Sequence, residues 1–303
     1  MPARTVTTGA EQRAPTEASA AGAHVSPAGE PASGRGVPWR RIGGALAVAG
    51  LAAGRVAARA GAQVGSAVSA AYHAVDPDVR RQIGELPLVG LTMLAPGRRE
   101  VVPLADDGRN VVVFVHGLGG GPGNFWPMGL YFRLHGRSRS YAVALPAGRP
   151  IVELAEVLST FLEDLARAND LPEGRRVDIV AHSMGGLVAR AALERSEISA
   201  RVATLITLGT PHEGTHLARL AVSTSLLELR RSSDLVERLR EQLPWKGPPE
   251  RPRLVAFWSA ADTVLLPHTT GRVDGADSVE IEGASHYGYL LQPAIWAKVL
   301  SAL

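Results

Sequence analysis

The stretch Val177–Leu193, VDIVAHSMGGLVARAAL, constrains this chain more than any other. An apolar run through Val177, Ile179 and Val180 stops at Ala181, and an Ala- and Leu-rich pattern of helical spacing starts beyond Ser183. The serine therefore stands at an abrupt turn from strand to helix, its hydroxyl projected past the end of a sheet. The first-turn amides of that helix lack intrahelical acceptors and are free to bind negative charge. Ala181 and Gly185, two before and two after the serine, are small where strand and helix backbones must pass close together. Taken alone, so short a string also fits a serine in an ordinary loop.

The surrounding pattern supplies the sheet. Val111–Val115, VVVFV, reads as a strand buried on both faces of a parallel sheet. Strand and helix patterns then alternate: Tyr141–Leu145 as strand, Ile151–Ala168 as helix, Val177–Ala181 as strand, Gly185–Arg195 as helix and Val202–Leu208 as strand. Leu254–Trp258 and Val279–Ile281 are later strands, and Tyr289–Leu303 is a closing helix. Val101, Val102 and Leu104 suggest an edge strand ahead of all these. The expected fold class is α/β, a mostly parallel sheet flanked by helices, in one domain spanning 98–303. The chain's 303 residues, 46% of them apolar, suffice for such a core plus extra segments.

The chain ahead of that domain differs in composition. Residues 1–38 are rich in Ala, Gly, Pro, Ser and Thr with no period, a disordered tail by composition. Residues 39–97 are an Ala- and Gly-rich segment in which Ile42–Ala53 follows paired arginines. Three readings compete for it. A transmembrane span needs roughly 20 apolar residues, more than this run offers. An export signal fits the arginines and the small residues Ala60-Gly61-Ala62, although it starts late. The spacing of Val56, Ala60, Val64, Ala67, Val68, Ala71 and Val75 favours the third, a helix lying on the domain or at a membrane surface and ended by Asp76-Pro77. Leu86–Leu94, with Pro87 and Gly90, reads as a short lead-in. An exported or membrane-associated protein is slightly favoured over a cytoplasmic one.

Composition excludes several chemistries. There is no cysteine, hence no disulfide, no thiolate metal site and no cysteine nucleophile. The 32 basic residues, of which only Lys246 and Lys298 are lysines, balance 29 acidic ones and form no stretch interleaved with aromatics, which argues against nucleic-acid binding. The glycine run His116–Gly121 after the first buried strand lacks the Lys-Ser/Thr of a phosphate-binding loop. Its alternative use is to point a backbone amide, that of Leu118, at a carbonyl oxygen. Nothing calls for a cofactor, and the oligomeric state is not specified.

A serine nucleophile needs a histidine base, and that histidine a carboxylate to fix its tautomer. Ser183, Asp262 and His286 each follow a strand, in that order. Asp274 and Asp277 are alternative acids, whereas Asp178, inside the elbow strand, faces away. His116 and His182 read as parts of their turns, and His212, His216 and His268 as weaker candidates for the base. Phe125, Trp126 and Tyr287 either line an acyl pocket or pack half-buried. From Thr215 to Pro252 an insertion of helices with a proline-rich end reads as a lid, or else as a plain helical pair on the surface.

From about Arg98 onward the chain resembles bacterial lipases and esterases of the α/β-hydrolase superfamily, through VVVFVHGLGGGPGNFW, VDIVAHSMGGLVAR, LITLGTPHEGTHLA, SAADTVLLP and GASHYGYL. The order serine, acid, histidine is the one that superfamily uses. The resemblance implies Ser183 as nucleophile, Asp262 as orienting acid, His286 as base and the amides of Leu118 and Met184 as the oxyanion hole. It further implies a lipid-like or other ester substrate. Some relatives bind a structural calcium, but no carboxylate pair places itself as ligands, so no metal is assigned. An acyltransferase or thioesterase using the same three residues, and a catalytically silent binding protein, remain alternatives.

Overall fold

The computed structural model describes residues 62–63, 66, 73–95, 101–171, 176–220, 223–249 and 251–303. The 1–38 tail and the Ile42–Ala53 run, with its three readings, lie outside them. Among the described residues no helix is long and apolar enough to cross a membrane.

Six parallel strands form the sheet: β1 (Val111–Val115), β2 (Ser140–Val143), β3 (Val177–His182), β4 (Val202–Leu208), β5 (Arg253–Trp258) and β6 (Asp277–Glu280), in spatial order β2-β1-β3-β4-β5-β6. The chain leaves β1 to one side to make β2, returns across β1 to make β3, and then moves steadily outward. That reversal opens a crevice beyond the C-terminal ends of β1 and β3, where open α/β sheets bind their ligands.

Both faces of the sheet are covered. On one, Val111, Val113 and Val115 pack with Leu154, Leu158 and Leu162 of the helix Ile151–Ala168 and with Leu187 and Val188 of the helix Met184–Ala192. On the other, Val112 and Phe114 meet Met128 and Phe132 of the helix Trp126–Leu134, and Ile295, Trp296 and Val299 of Pro293–Ala302. Double burial explains why VVVFV lacks the alternation of a half-exposed strand.

The segment 101–104 is not a strand. Its backbone is satisfied by side chains instead: the Tyr141 hydroxyl donates to the Val102 carbonyl at 2.7 Å, and Leu104 N–H donates to Asn169 Oδ1 at 3.1 Å. The sheet edge on that side is β2. Leu86–Leu94 is likewise no lead-in, because Pro77–Thr92 is a 16-residue helix, here α1. Asp76 begins it, its carboxylate accepting from Asp78 N–H at 2.8 Å, and Pro77 occupies the first turn, where a missing N–H costs nothing. Asp76-Pro77 is thus a start signal as much as a stop. This helix belongs to the same compact unit as the sheet, which runs from Gly65 to Leu303.

The insertion after β4 divides in two. Its first part carries the short helix Thr224–Glu228, and its second carries Asp234–Arg240, whose Leu235, Val236 and Leu239 are buried along with Trp245. Arg190, wholly buried on the helix after Ser183, donates to the carbonyls of Leu239 and His212 and lies 5.9 Å from the Trp245 ring. Its hydrogen-bond partners are carbonyl and amide oxygens and the His212 Nδ1, with no carboxylate among them, and burial lowers its pKa to about 10.

Candidate active site

Ser183 sits at φ 55°, ψ −128°, a backbone conformation that non-glycine residues rarely adopt. The surroundings enforce it. Its N–H extends the β3–β4 ladder to the Leu208 carbonyl at 2.9 Å, and its own carbonyl accepts from Gly186 N–H at 3.1 Å and the Thr210 hydroxyl at 2.8 Å. Close approach on both sides requires glycine. A Cβ on Gly117 would stand 2.7 Å from Ser183 Cβ, and one on Gly185 would stand 2.5 Å from the Val115 carbonyl oxygen.

The structure brings together the three residues that the sequence separates. His286 Nε2 lies 2.9 Å from Ser183 Oγ, while its Nδ1 lies 2.9 and 3.1 Å from the two oxygens of Asp262. With Nδ1–H donating to the carboxylate, Nε2 is left as the acceptor facing the serine hydroxyl. Asp262 Oδ1 also accepts from Val264 N–H at 2.9 Å, which fixes the carboxylate at the end of β5. All three side chains are buried, with Ser183 the most accessible at 8%. Met184 is the first residue of its helix, so its N–H has no intrahelical acceptor, and Leu118 lies across the crevice on the loop after β1.

The rival residues have other partners. Asp178 points away, paired with Arg137 at 3.0 Å and with Asn110. Asp277 pairs with Arg253 on the exposed β6 edge, and the Asp274 carbonyl binds Trp245 N–H. His116 accepts from Leu145 N–H and bonds the Gly117 carbonyl, bracing the loop after β1. His182 Nε2–H donates to the His286 carbonyl at 2.8 Å and so steadies the loop that carries the imidazole facing Ser183. His212 lies against Thr207 and Arg190, and His268 stacks on Trp258.

Burial holds the pKa of His116 below the ordinary value of 6.5 and those of His182 and His212 well below it, with the Arg190 charge lowering that of His212 further. These imidazoles stay neutral in the fold, whereas in the unfolded chain they take up protons as the pH drops past 6.5. A folded pKa below the unfolded one adds stability that is present above the unfolded value and lost as pH falls. Each proton that the unfolded chain binds and the fold excludes adds at most about 1.4 kcal/mol per pH unit to the slope of that loss. Thermal melts between about pH 7 and 5.5 are expected to show a falling Tm. His212→Gln should make that fall shallower, and an unchanged slope would mean that the ring is already charged in the fold.

A cavity of about 340 Å³ opens over Ser183 and His286. Its walls are mostly apolar, with Leu86 from α1 and Met93 just past its end, Leu217 and Leu226 from the insertion, and Val264 and Leu290 from the acid and base sides. Tyr287 also lines it. Phe125 reaches it but is mainly a core residue, stacked on Phe114 at 4.8 Å. Trp126 is not part of it: 56% exposed at the start of its helix, it lines a different cavity with Leu104, Leu130 and Tyr141. Helical geometry explains this, since adjacent residues point about 100° apart and Phe125 takes the inward position. Sequence reasoning missed α1 altogether, and it missed Thr210, although the Gly-Thr-Pro string carried it.

The sequence model of a family described as a PGAP1-like alpha/beta domain matches residues 148–232, which include Ser183. The fold is similar to that of Aspergillus fumigatus lipase B, with 17% identity, a TM-score of 0.55, and 67% of this chain and 55% of that one covered. It is also similar to the Bacillus licheniformis lipase BlEst2 in its mature form, with 19% identity, a TM-score of 0.55 and coverage of 66% and 95%. The chain thus spans little more than half the length of lipase B. Sheet order, the placing of the cavity at the strand ends and these likenesses together give the chain an α/β-hydrolase fold.

Proposed function

We propose that the chain is a serine carboxylic-ester hydrolase acting through an acyl-serine intermediate. The observation that carries this reading is the relay from Ser183 Oγ through His286 to Asp262, with 2.9 Å at each step, on a strained elbow at the mouth of an apolar cavity. His286 Nε2 takes the hydroxyl proton as Ser183 Oγ attacks the ester carbonyl, and the amides of Leu118 and Met184 receive the charge on the carbonyl oxygen. Each such donor contributes roughly 10²- to 10³-fold in rate. The imidazolium then returns the proton to the departing alcohol, and water, deprotonated by the same nitrogen, cleaves the acyl-serine bond.

The cavity's apolar walls support an uncharged acyl group, hence a lipid-like ester, as do the names of the two lipases with similar folds. Among the described residues of 215–252, those that border the cavity are Thr215, Leu217, Ala218, Leu226 and Leu229, and we propose the lid role for this first part of the insertion. The N-terminal segment is proposed to bring the enzyme to a membrane surface.

A fluorophosphonate probe tests the reaction directly. The serine oxygen displaces fluoride from phosphorus, and mass spectrometry of the labelled protein should find one adduct, on Ser183. Full-length, folded protein that stays unlabelled would sink the reading.

A further inference from the structure

Helix α1 touches all three loops of the site at once. At its N-terminal end, Arg81 donates to the Gly283 carbonyl at 2.6 Å, and Gln82 Oε1 accepts from the Thr263 hydroxyl at 2.7 Å and from His286 N–H at 3.4 Å. One turn on, the Glu85 carboxylate accepts from the Ser285 hydroxyl, whose oxygen in turn accepts from Gly288 N–H at 3.0 Å. At the C-terminal end, Asn124 Nδ2 donates to the Val89 carbonyl at 3.2 Å and the Thr92 hydroxyl at 2.9 Å, while its Oδ1 accepts from Gly121 N–H at 2.8 Å. The two packed segments approach so closely that a Cβ on Gly123 would lie 2.3 Å from the Thr92 carbonyl.

Helical periodicity puts both sets on one face of α1: Gln82, Glu85 and Val89 follow i, i+3, i+7 spacing, as do Leu86, Val89 and Met93 at the helix end, and the last three line the cavity.

We infer that α1 is a working part of the site: Gln82 and Glu85 are positioning residues that hold the His286 and Asp262 loops in register, and Leu86, Val89 and Met93 form the wall along which the acyl chain lies. This rests on the ester-hydrolase reading above. His286 stands between a serine and a carboxylate through a short loop with little secondary structure of its own, so its placement depends on what grips that loop. Gln82 is suited to this because a single oxygen ties the residue after Asp262 to His286 itself. Glu85 acts one residue earlier, through Ser285.

The test uses the full chain with Gln82→Ala, Glu85→Ala, their double variant, Glu85→Gln and Leu86→Trp, assayed on a series of 4-nitrophenyl esters from acetate to decanoate. For the double variant, kcat is expected to fall about a hundredfold with KM nearly constant, and the acid limb of the kcat/KM pH profile to move. Glu85→Gln keeps an oxygen for Ser285 and should recover most of what Glu85→Ala loses. Leu86→Trp should shift the ratio of long- to short-chain kcat/KM by about tenfold or more. An unchanged kcat with an unmoved acid limb overturns the positioning role, and an unchanged ratio overturns the wall. If the double variant melts below the assay temperature, the part-exposed Gln82→Ala carries the same readout alone. Failure here is distinguishable from failure of the underlying reading. Wild-type protein that labels at Ser183 while the variants behave as wild type removes this inference only, whereas wild-type protein that neither labels nor hydrolyses any ester removes both.

Discussion

Ser183→Ala is expected to lower kcat for an activated ester by about 10⁶-fold, with binding largely retained. Removing the nucleophile leaves the Leu118 and Met184 amides and the cavity intact, and in serine hydrolases such a remainder still exceeds the uncatalysed rate by about 10³-fold. Stopped-flow or prolonged steady-state assays of purified protein check the size of the drop, and retention of more than a trace of activity would require another nucleophile. The strained backbone adds a second readout. Alanine keeps the φ of 55° and its cost, whereas glycine adopts that conformation freely, so Ser183→Gly should be equally inactive yet more stable by about 1 kcal/mol.

The second large effect is expected from Asp262→Asn, about 10⁴-fold in kcat at neutral pH. An asparagine oxygen can still accept from Val264 N–H and hold the loop after β5, so the fold should survive. Its amide nitrogen, however, would donate toward His286 Nδ1 and stabilise the tautomer that carries the proton on Nε2. The imidazole would then present a hydrogen to Ser183 in place of a lone pair. Matched losses in kcat and in the fluorophosphonate labelling rate, with KM little altered, would identify the tautomer as the cause. A drop confined to KM would assign Asp262 to substrate binding instead.

The sequence was most legible where the chemistry is local. The elbow is written in one contiguous stretch, because a strand ending at His182, Ser183 and a helix beginning at Met184 are neighbours along the chain. The parallel sheet was legible because both faces are covered, which leaves uninterrupted apolar runs. Asp262 and His286 emerged through order and strand-end position. Helix α1 was hidden for the opposite reason. Gly84, Pro87 and Gly90 disfavour a helix by intrinsic preference, and its stability comes from Arg81, Gln82, Glu85 and Asn124, whose partners lie far away in sequence. Trp126 misled because composition marks an aromatic residue as a ligand contact without saying which side of the helix it occupies. At 101–104 the apolar residues suggested a ladder, but Tyr141 and Asn169 had already taken the backbone groups a neighbouring strand would use.

Arg190 ties the second part of the insertion to the helix after Ser183. Its guanidinium is solvated by the carbonyl oxygens of Leu239 and His212, so the peptide at 239 does for this cation what water would do outside. Swinging the Asp234–Arg240 helix away would strand a positive charge in a medium that cannot screen it, a cost of several kcal/mol. Asp234–Arg240 is thereby fastened to the helix that follows Ser183, and a variant lacking the guanidinium would leave the Leu239 carbonyl without this donor.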